Sequence, residues 1–164
     1  MLRDSKAGMP QVGVGQAGLT LTVQFLPSWA EIEPLRAYVE SCSRNQTVAL
    51  AEKTGMVVQE LLENAIKYGD PGSLVELRVA MSPGRKTIEI AVSNRAHPSR
   101  VALLQKEFER IESTSPKDAF NAALQRLPKL PPGTSMLGLA RIAMEAPIKL
   151  KLERDMVTLE ASIR

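Results

Sequence analysis

Apolar positions along this chain recur with two periods, and the period in force changes from segment to segment. In 19–26 the residues Leu19, Leu21, Val23 and Phe25 fall at every second place. So do Val75, Leu77, Val79 and Met81 in 74–81, and Ile88, Ile90 and Val92 in 87–94. A period of two puts such residues on one face of a strand. The last two segments flank Ser82-Pro83-Gly84-Arg85, a turn sequence, and so predict a hairpin. A second hairpin is predicted where Ile148, Leu150 and Leu152 oppose Val157, Leu159, Ala161 and Ile163 across Arg154-Asp155. The spacing over 29–41 and 46–68 is helical instead, and Gly69-Asp70-Pro71-Gly72 supplies a stop and a turn. Beyond Pro98, Val101, Leu104, Phe108 and Ile111 mark an amphipathic helix, and beyond Pro116, Phe120, Ala123, Leu124 and Leu127 mark another. A Pro-rich loop over 128–133 leads to a last helix over 135–145.

Antiparallel hairpins separated by helices predict an α+β two-layer sandwich, its sheet mixed but mostly antiparallel, with the helices on one face. Residues 1–18 are rich in Gly and small or polar side chains, show no period, and read as a flexible tail. The domain is then 19–164, with a helical insert over about 99–132. Within the tail, Gly13-Val14-Gly15-Gln16-Ala17-Gly18 matches the dinucleotide fingerprint in form. It has neither the preceding strand nor the following helix that aims backbone N–H groups at a pyrophosphate, so it is read as accidental.

Composition narrows the classes of function. At 164 residues, 44% hydrophobic and 24% charged, the chain suits one domain, which at this size buries about 70% of the surface its unfolded form exposes. A lone Cys42 and a lone His97 exclude an internal disulfide and leave too few soft ligands for a structural zinc. The 21 Lys plus Arg against 18 Asp plus Glu give +3, with signs interspersed rather than gathered in a basic stripe, so nucleic acid is not an expected partner. No apolar run approaches the ~20 residues of a membrane span. A cytoplasmic protein with no membrane association is expected.

Glu60, Asn64 and Lys67 share one stripe of their helix, opposite Val58, Leu61, Leu62 and Ala65. By periodicity alone this reads as a solvated face with a Glu63–Lys67 ion pair. Two further observations bear on the stripe. Asn94 continues the inward row Ile88, Ile90, Val92, putting a polar residue at the rim of the core. Gly133-Thr134-Ser135-Met136-Leu137-Gly138-Leu139-Ala140 is a small-residue turn running into a helix, a setting whose N–H groups suit phosphate.

Residues 57–69, Val-Val-Gln-Glu-Leu-Leu-Glu-Asn-Ala-Ile-Lys-Tyr-Gly, resemble the N box of the GHKL (Bergerat) ATP-binding fold shared by gyrase, histidine kinases and anti-sigma-factor serine kinases. Leu137-Gly138-Leu139-Ala140 resembles the end of that family's second glycine box, and the resemblance in element order runs over 19–163. It implies that Asn64 holds the Mg²⁺ bridging the ATP phosphates and that Glu60 is the catalytic residue that orients or deprotonates the attacking group. It places Lys67, Gly133, Thr134, Ser135, Gly138 and Leu139 around the phosphates and Asn94 at the adenine. A hard cation takes oxygen ligands, and a carboxylate one helical turn away can accept a proton. The first glycine box departs from the family: Asp-x-Gly-x-Gly is replaced by Asn94-Arg95-Ala96-His97-Pro98. Asn94 keeps an acceptor without the charge, Ala96 disfavours positive φ, and Pro98 removes an N–H. Met136 stands where the second box would have another Gly. The insert occupies the place of the family's ATP lid, its apolar faces packing on the domain or docking a partner. His97, followed by Pro98, reads as a helix-start residue rather than a phospho-accepting histidine.

Two functions stay open on these grounds. One is an ATP-dependent serine/threonine kinase resembling those of bacterial partner-switching systems, which acts on a small antagonist protein arriving as a separate chain, with a homodimer open. Glu60 favours that branch, since histidine kinases commonly carry Asn there; small kinases of the SiaB type are also similar in showing Asn in the first box. The other is a pseudo-kinase, a protein-binding module that kept the fold and lost the nucleotide.

Overall fold

In a computed structural model, residues 11–15, 18–82, 86–130 and 137–164 are described. The order is β1 (Gln11–Gly15), β2 (Gly18–Phe25), α1 (Ile32–Ser43), α2 (Val48–Tyr68), β3 (Val75–Ser82), β4 (Thr87–Arg95), α3 (Pro98–Glu112), α4 (Pro116–Arg126), α5 (Leu137–Glu145), β5 (Ile148–Glu153) and β6 (Met156–Ile163). Single 3-10 turns, Trp29–Glu31 and Leu127–Lys129, precede α1 and follow α4. The strands form one six-stranded sheet in the order β1-β2-β3-β4-β6-β5. Each neighbouring pair is antiparallel, so the mixed sheet expected from the sequence is antiparallel throughout the described pairings.

Register converts the sequence alternation into a core. Leu21, Val79, Ile90, Ala161 and Ile148 form one rung across the sheet, and Val23, Leu77, Val92, Leu159 and Leu150 the next. Side chains of these rungs on β2, β3, β4 and β6 are buried, while those on the edge strand β5 are half-buried. The opposite face is polar and tied strand to strand: Gln24 Nε2 donates to Glu76 Oε2 at 2.7 Å, Ser162 Oγ donates to Glu89 Oε1 at 2.7 Å, and Ser93 and Thr158 hydroxyls meet at 2.9 Å. The helices therefore pack on one face only, which is the two-layer sandwich expected. Through that layer runs α2, with Leu50, Val57, Val58, Leu61 and Leu62 all buried. Among the described residues, no helix is long and apolar enough to cross a membrane.

Two elements differ from the sequence expectation. Gln11–Gly15, read as part of the tail, is an edge strand paired with β2 from Gln11↔Thr22 to Gly15↔Gly18. The glycines of the apparent dinucleotide fingerprint thus lie within these strands, Gly13 and Gly15 in β1 and Gly18 at the start of β2, the last at φ 125, a backbone conformation natural to glycine. In α4 the inward residues are Ala119 and Ala123, whereas Phe120 is half-buried and Leu124 is 40% exposed. The alanines are thus the buried face of α4, which packs beside both α5 and α3.

The α3–α4 insert packs on the domain. Leu104, Phe108 and Ile111 of α3 enter the core. His97 caps α3, its Nδ1 accepting from the Ser99 N–H at 3.3 Å, with Pro98 at the first helical position. Ser115 caps α4, accepting from the Asp118 N–H at 3.1 Å and donating to Asp118 Oδ2 at 2.7 Å. Ser115→Ala is expected to lower stability by about 1 kcal/mol, read as a fall in Tm with faster amide exchange confined to the first turn of α4. The clasp of the insert is Glu107, whose side chain is only 8% exposed. Arg126 grips it with two nitrogens at 2.8 and 3.0 Å, and Arg110 Nη1 adds a third contact at 3.0 Å. Burial alone would push this carboxyl's pKa up; the Arg126 and Arg110 guanidiniums outweigh it and hold the pKa below the usual carboxylate value.

Candidate functional site

Four elements converge where the C-terminal half of α2 passes the end of β4. The stripe Glu60, Asn64, Lys67 is no solvated face: Glu60 and Lys67 side chains are 16% and 30% exposed, and Asn64 is buried. The first turns of α5 cover it. Gly138 sits so close to Glu60 that a Cβ there would collide with the carboxylate and come within contact of Asn64 Nδ2. One turn further along α5, Arg141 Nη1 donates to Glu60 Oε1 at 3.2 Å. Glycine at 138 is therefore what lets the acid lie against α5 while its oxygens reach Arg141.

Glu60 is tuned by this setting. Burial raises its carboxyl pKa, the neighbouring Glu63 raises it further, and Arg141 and Lys67 offset only part of the shift. A carboxyl raised above its ordinary value is a better proton acceptor than an unperturbed one. Asn64 Nδ2 donates to the Glu60 backbone carbonyl at 2.7 Å, which orients the amide and leaves its carbonyl oxygen as the acceptor. Lys67 turns aside from both: its Nζ pairs with Glu63 at 3.4 Å and lies 5.8 Å from the Trp29 ring centroid.

At the β4 end, Asn94 is buried as its place in the inward row required, and its Nδ2 donates to the Arg95 carbonyl at 3.0 Å. Gly69 packs against it, where a Cβ would strike both Asn94 Nδ2 and the Ala65 carbonyl. That Arg95 carbonyl also accepts from the Asp70 N–H at 2.8 Å, so the ends of α2 and β4 are laced together. Between Asn64 and Asn94 the remaining space is about 10 Å³, closed by Tyr68, Arg100, Val101 and Leu104. That is scarcely room for one water molecule. Arg100 pins α3 there by donating to the Lys67 carbonyl at 2.5 Å.

Of the residues singled out from sequence, Glu60, Asn64, Asn94 and Gly138 come together, and Lys67 lies beside them. Leu139 is completely buried, so its side chain belongs to the core. Gly133, Thr134 and Ser135 lie outside the described residues. Sequence reasoning missed Arg141, Tyr68 and Arg100. Only Arg141 had a local signal, standing one helical turn after Gly138.

A cation and a purine make different demands on this arrangement. An amide oxygen on Asn64, one helical turn from a carboxylate, is the donor type that suits a Mg²⁺ whose remaining ligands are phosphate and water oxygens. The space between Asn64 and Asn94 does not accept a purine with α3 in place.

The fold, with half-buried Glu60 beside buried Asn64, defines an α+β sandwich with a polar cluster at the C-terminal half of its long helix α2. Among solved structures, a chain of the SiaB–SiaC complex from Pseudomonas aeruginosa is similar, with a TM-score of 0.64 over 87% of this chain and 88% of that chain at 19% identity. At that identity the likeness is one of fold. No family model and no curated protein matches the chain.

Proposed function

We propose that this chain is a stand-alone regulator of the GHKL type that acts on a separate protein, in the manner of an ATP-dependent anti-sigma-factor serine kinase of a partner-switching system. The observation that carries the reading is the Glu60–Asn64 pair: a half-buried carboxyl of raised pKa, one helical turn from a buried side-chain amide, against the start of α5. A protein partner is further supported by the similar structure, which is one chain of a two-protein complex. In this mechanism Asn64 would hold Mg²⁺ through its carbonyl oxygen. Glu60 takes the proton of a partner's Ser or Thr hydroxyl, and Arg141 keeps the carboxylate aimed. ATP with Mg²⁺ would supply the phosphoryl group and neutralise the charge that develops on transfer.

One observation favours a second reading, a nucleotide-free protein-binding module: the filled space between Asn64 and Asn94. On the kinase reading a purine enters only after α3 withdraws Val101 and Leu104. Calorimetric titration with ATP and Mg²⁺ decides between the two. The kinase reading expects saturable heat that weakens in Asn64→Ala when Mg²⁺ is present. Absence of heat and of any thermal shift at millimolar ATP selects the nucleotide-free module.

A further inference from the structure

The sheet ends on β5, which pairs with β6 and with no other strand among the described residues. The ladder between them fixes which backbone groups are left over. The Ser162 N–H donates to the Pro147 carbonyl at 3.1 Å, so the hydrogen-bonded pairs of this antiparallel ladder continue at every second place, Lys149↔Glu160 and Lys151↔Thr158. The N–H and C=O groups of Ile148, Leu150 and Leu152 therefore point away from β6, along the open edge. Such a row of donors and acceptors is a template for a further strand.

The side chains of β5 decide what that strand carries. Ile148, Leu150 and Leu152 point inward but stay half-buried, whereas their partners Ala161, Leu159 and Val157 on β6 are buried. Apolar residues placed opposite them take the remaining surface out of water. On the other face stand Lys149 and Lys151, both exposed. Glu160 lies opposite Lys149 in the register, yet its Oε1 accepts from Lys151 Nζ at 2.5 Å, and Lys149 has no ion-pair partner among the described residues. Against an incoming antiparallel strand both lysines fall at non-hydrogen-bonded positions, where facing side chains lie closest. Like charges there repel and opposite charges attract. A second copy of β5 is thereby disfavoured, because the antiparallel register that aligns all three apolar residues sets Lys149 against Lys151 twice. Acidic side chains at those two places meet the lysines, while Glu153, at the end of the row, calls for a neutral residue.

We propose that β5 is a docking edge for an extended segment of a partner protein, in which apolar residues alternate with acidic ones, added antiparallel as a seventh strand of the six-stranded sheet. The backbone groups of Ile148, Leu150 and Leu152 hold its main chain, and Lys149 and Lys151 face its carboxylates. The edge works whether or not the Glu60 cluster binds ATP.

Residue-resolved amide exchange of the full chain, with the end-blocked peptides Thr-Val-Glu-Val-Glu-Val-Thr and Thr-Val-Lys-Val-Lys-Val-Thr as probes, tests this. Rising acidic peptide, up to millimolar concentration, should slow exchange at Ile148, Leu150 and Leu152 saturably, by at least about tenfold, and leave Lys149 and Lys151, already bonded to β6, as they were. The basic peptide should have no effect. Lys149→Glu, which breaks no ion pair among the described residues, should weaken the acidic peptide about fivefold or more. Leu150→Pro removes one outward donor and spares the β6 ladder, so it should abolish the slowing at Ile148 and Leu152. Asn64→Ala should change none of this, which keeps the outcome separate from that of the ATP titration. No slowing with the acidic peptide, equal slowing by both peptides, or unchanged affinity in Lys149→Glu would each overturn the proposal. Slowing that rises with the concentration of the protein alone makes a second copy the occupant, and slowing confined to β1 makes the other edge the site; either result overturns it too.

Discussion

Glu60→Gln is expected to lower phosphoryl transfer to a cognate protein by about 10²–10⁴-fold, with ATP affinity largely kept and the fold no less stable at pH 7. The two halves of this result share one cause. The amide has the shape of the carboxylate and no basicity, so proton removal from the attacking hydroxyl is lost while the packing against Gly138 remains. Stability follows the direction of the pKa shift. Burial first, then Glu63, raise the Glu60 pKa in the folded chain above its ordinary 4.5. A carboxyl raised on folding contributes stability that is fully present below the unfolded pKa and is lost as pH rises through the folded one. At neutral pH the ionised Glu60 is therefore a liability that Gln removes. The Tm of the variant should match or exceed that of the wild type at pH 7, and the difference should vanish below the ordinary carboxyl pKa. Transfer that persists in Glu60→Gln removes Glu60 from the chemistry. A variant clearly less stable at pH 7 means that its ion pair with Arg141 outweighs its burial.

The clasp of the insert should show the opposite pH dependence and the larger loss of stability. Arg126→Met leaves Glu107, 8% exposed, with Arg110 alone, and uncovering a buried charge in this way costs about 3 kcal/mol. Glu107→Gln should cost less, about 1–2 kcal/mol, because Arg126 and Arg110 are 32% and 49% exposed and can turn to water. The folded pKa of Glu107 is depressed, so its contribution is present above the unfolded pKa and disappears as pH falls through the folded value. Acid should thus loosen α3 and α4 in the wild type, read as faster amide exchange there, and Glu107→Gln should remove that dependence. If Arg126→Met costs less than Glu107→Gln, the carboxylate is not held out of water as the geometry requires.

How much of this was legible in the sequence follows from the range of each interaction. The alternation of Val75 to Met81 and of Ile88 to Asn94 is local, since a strand facing one core must repeat every two residues, and the structure seats each of those residues inward. Glu60 and Asn64 were legible for the same reason, being one turn apart on a helix whose opposite stripe, Val58, Leu61, Leu62 and Ala65, is apolar. β1 was not. Its residues Gln-Val-Gly-Val-Gly offer little to pack, and it is a strand because the edge of β2 offers it hydrogen bonds.

Apart from β1, the sequence by itself determined the elements, their order, the antiparallel hairpins and the placing of a carboxylate beside an amide on the long helix α2, because these depend on neighbours within a turn or two. Only the tertiary structure decided what surrounds that pair. Arg141, brought from a distant part of the chain, grips Glu60. Val101 and Leu104 fill the space beside Asn94, and Lys53, Lys86 and Arg164 meet around the start of α2. These contacts join residues far apart in the chain, and no local period encodes them; they exist because the sheet and helices pack in one register, which puts the ends of α2 in two different chemical settings.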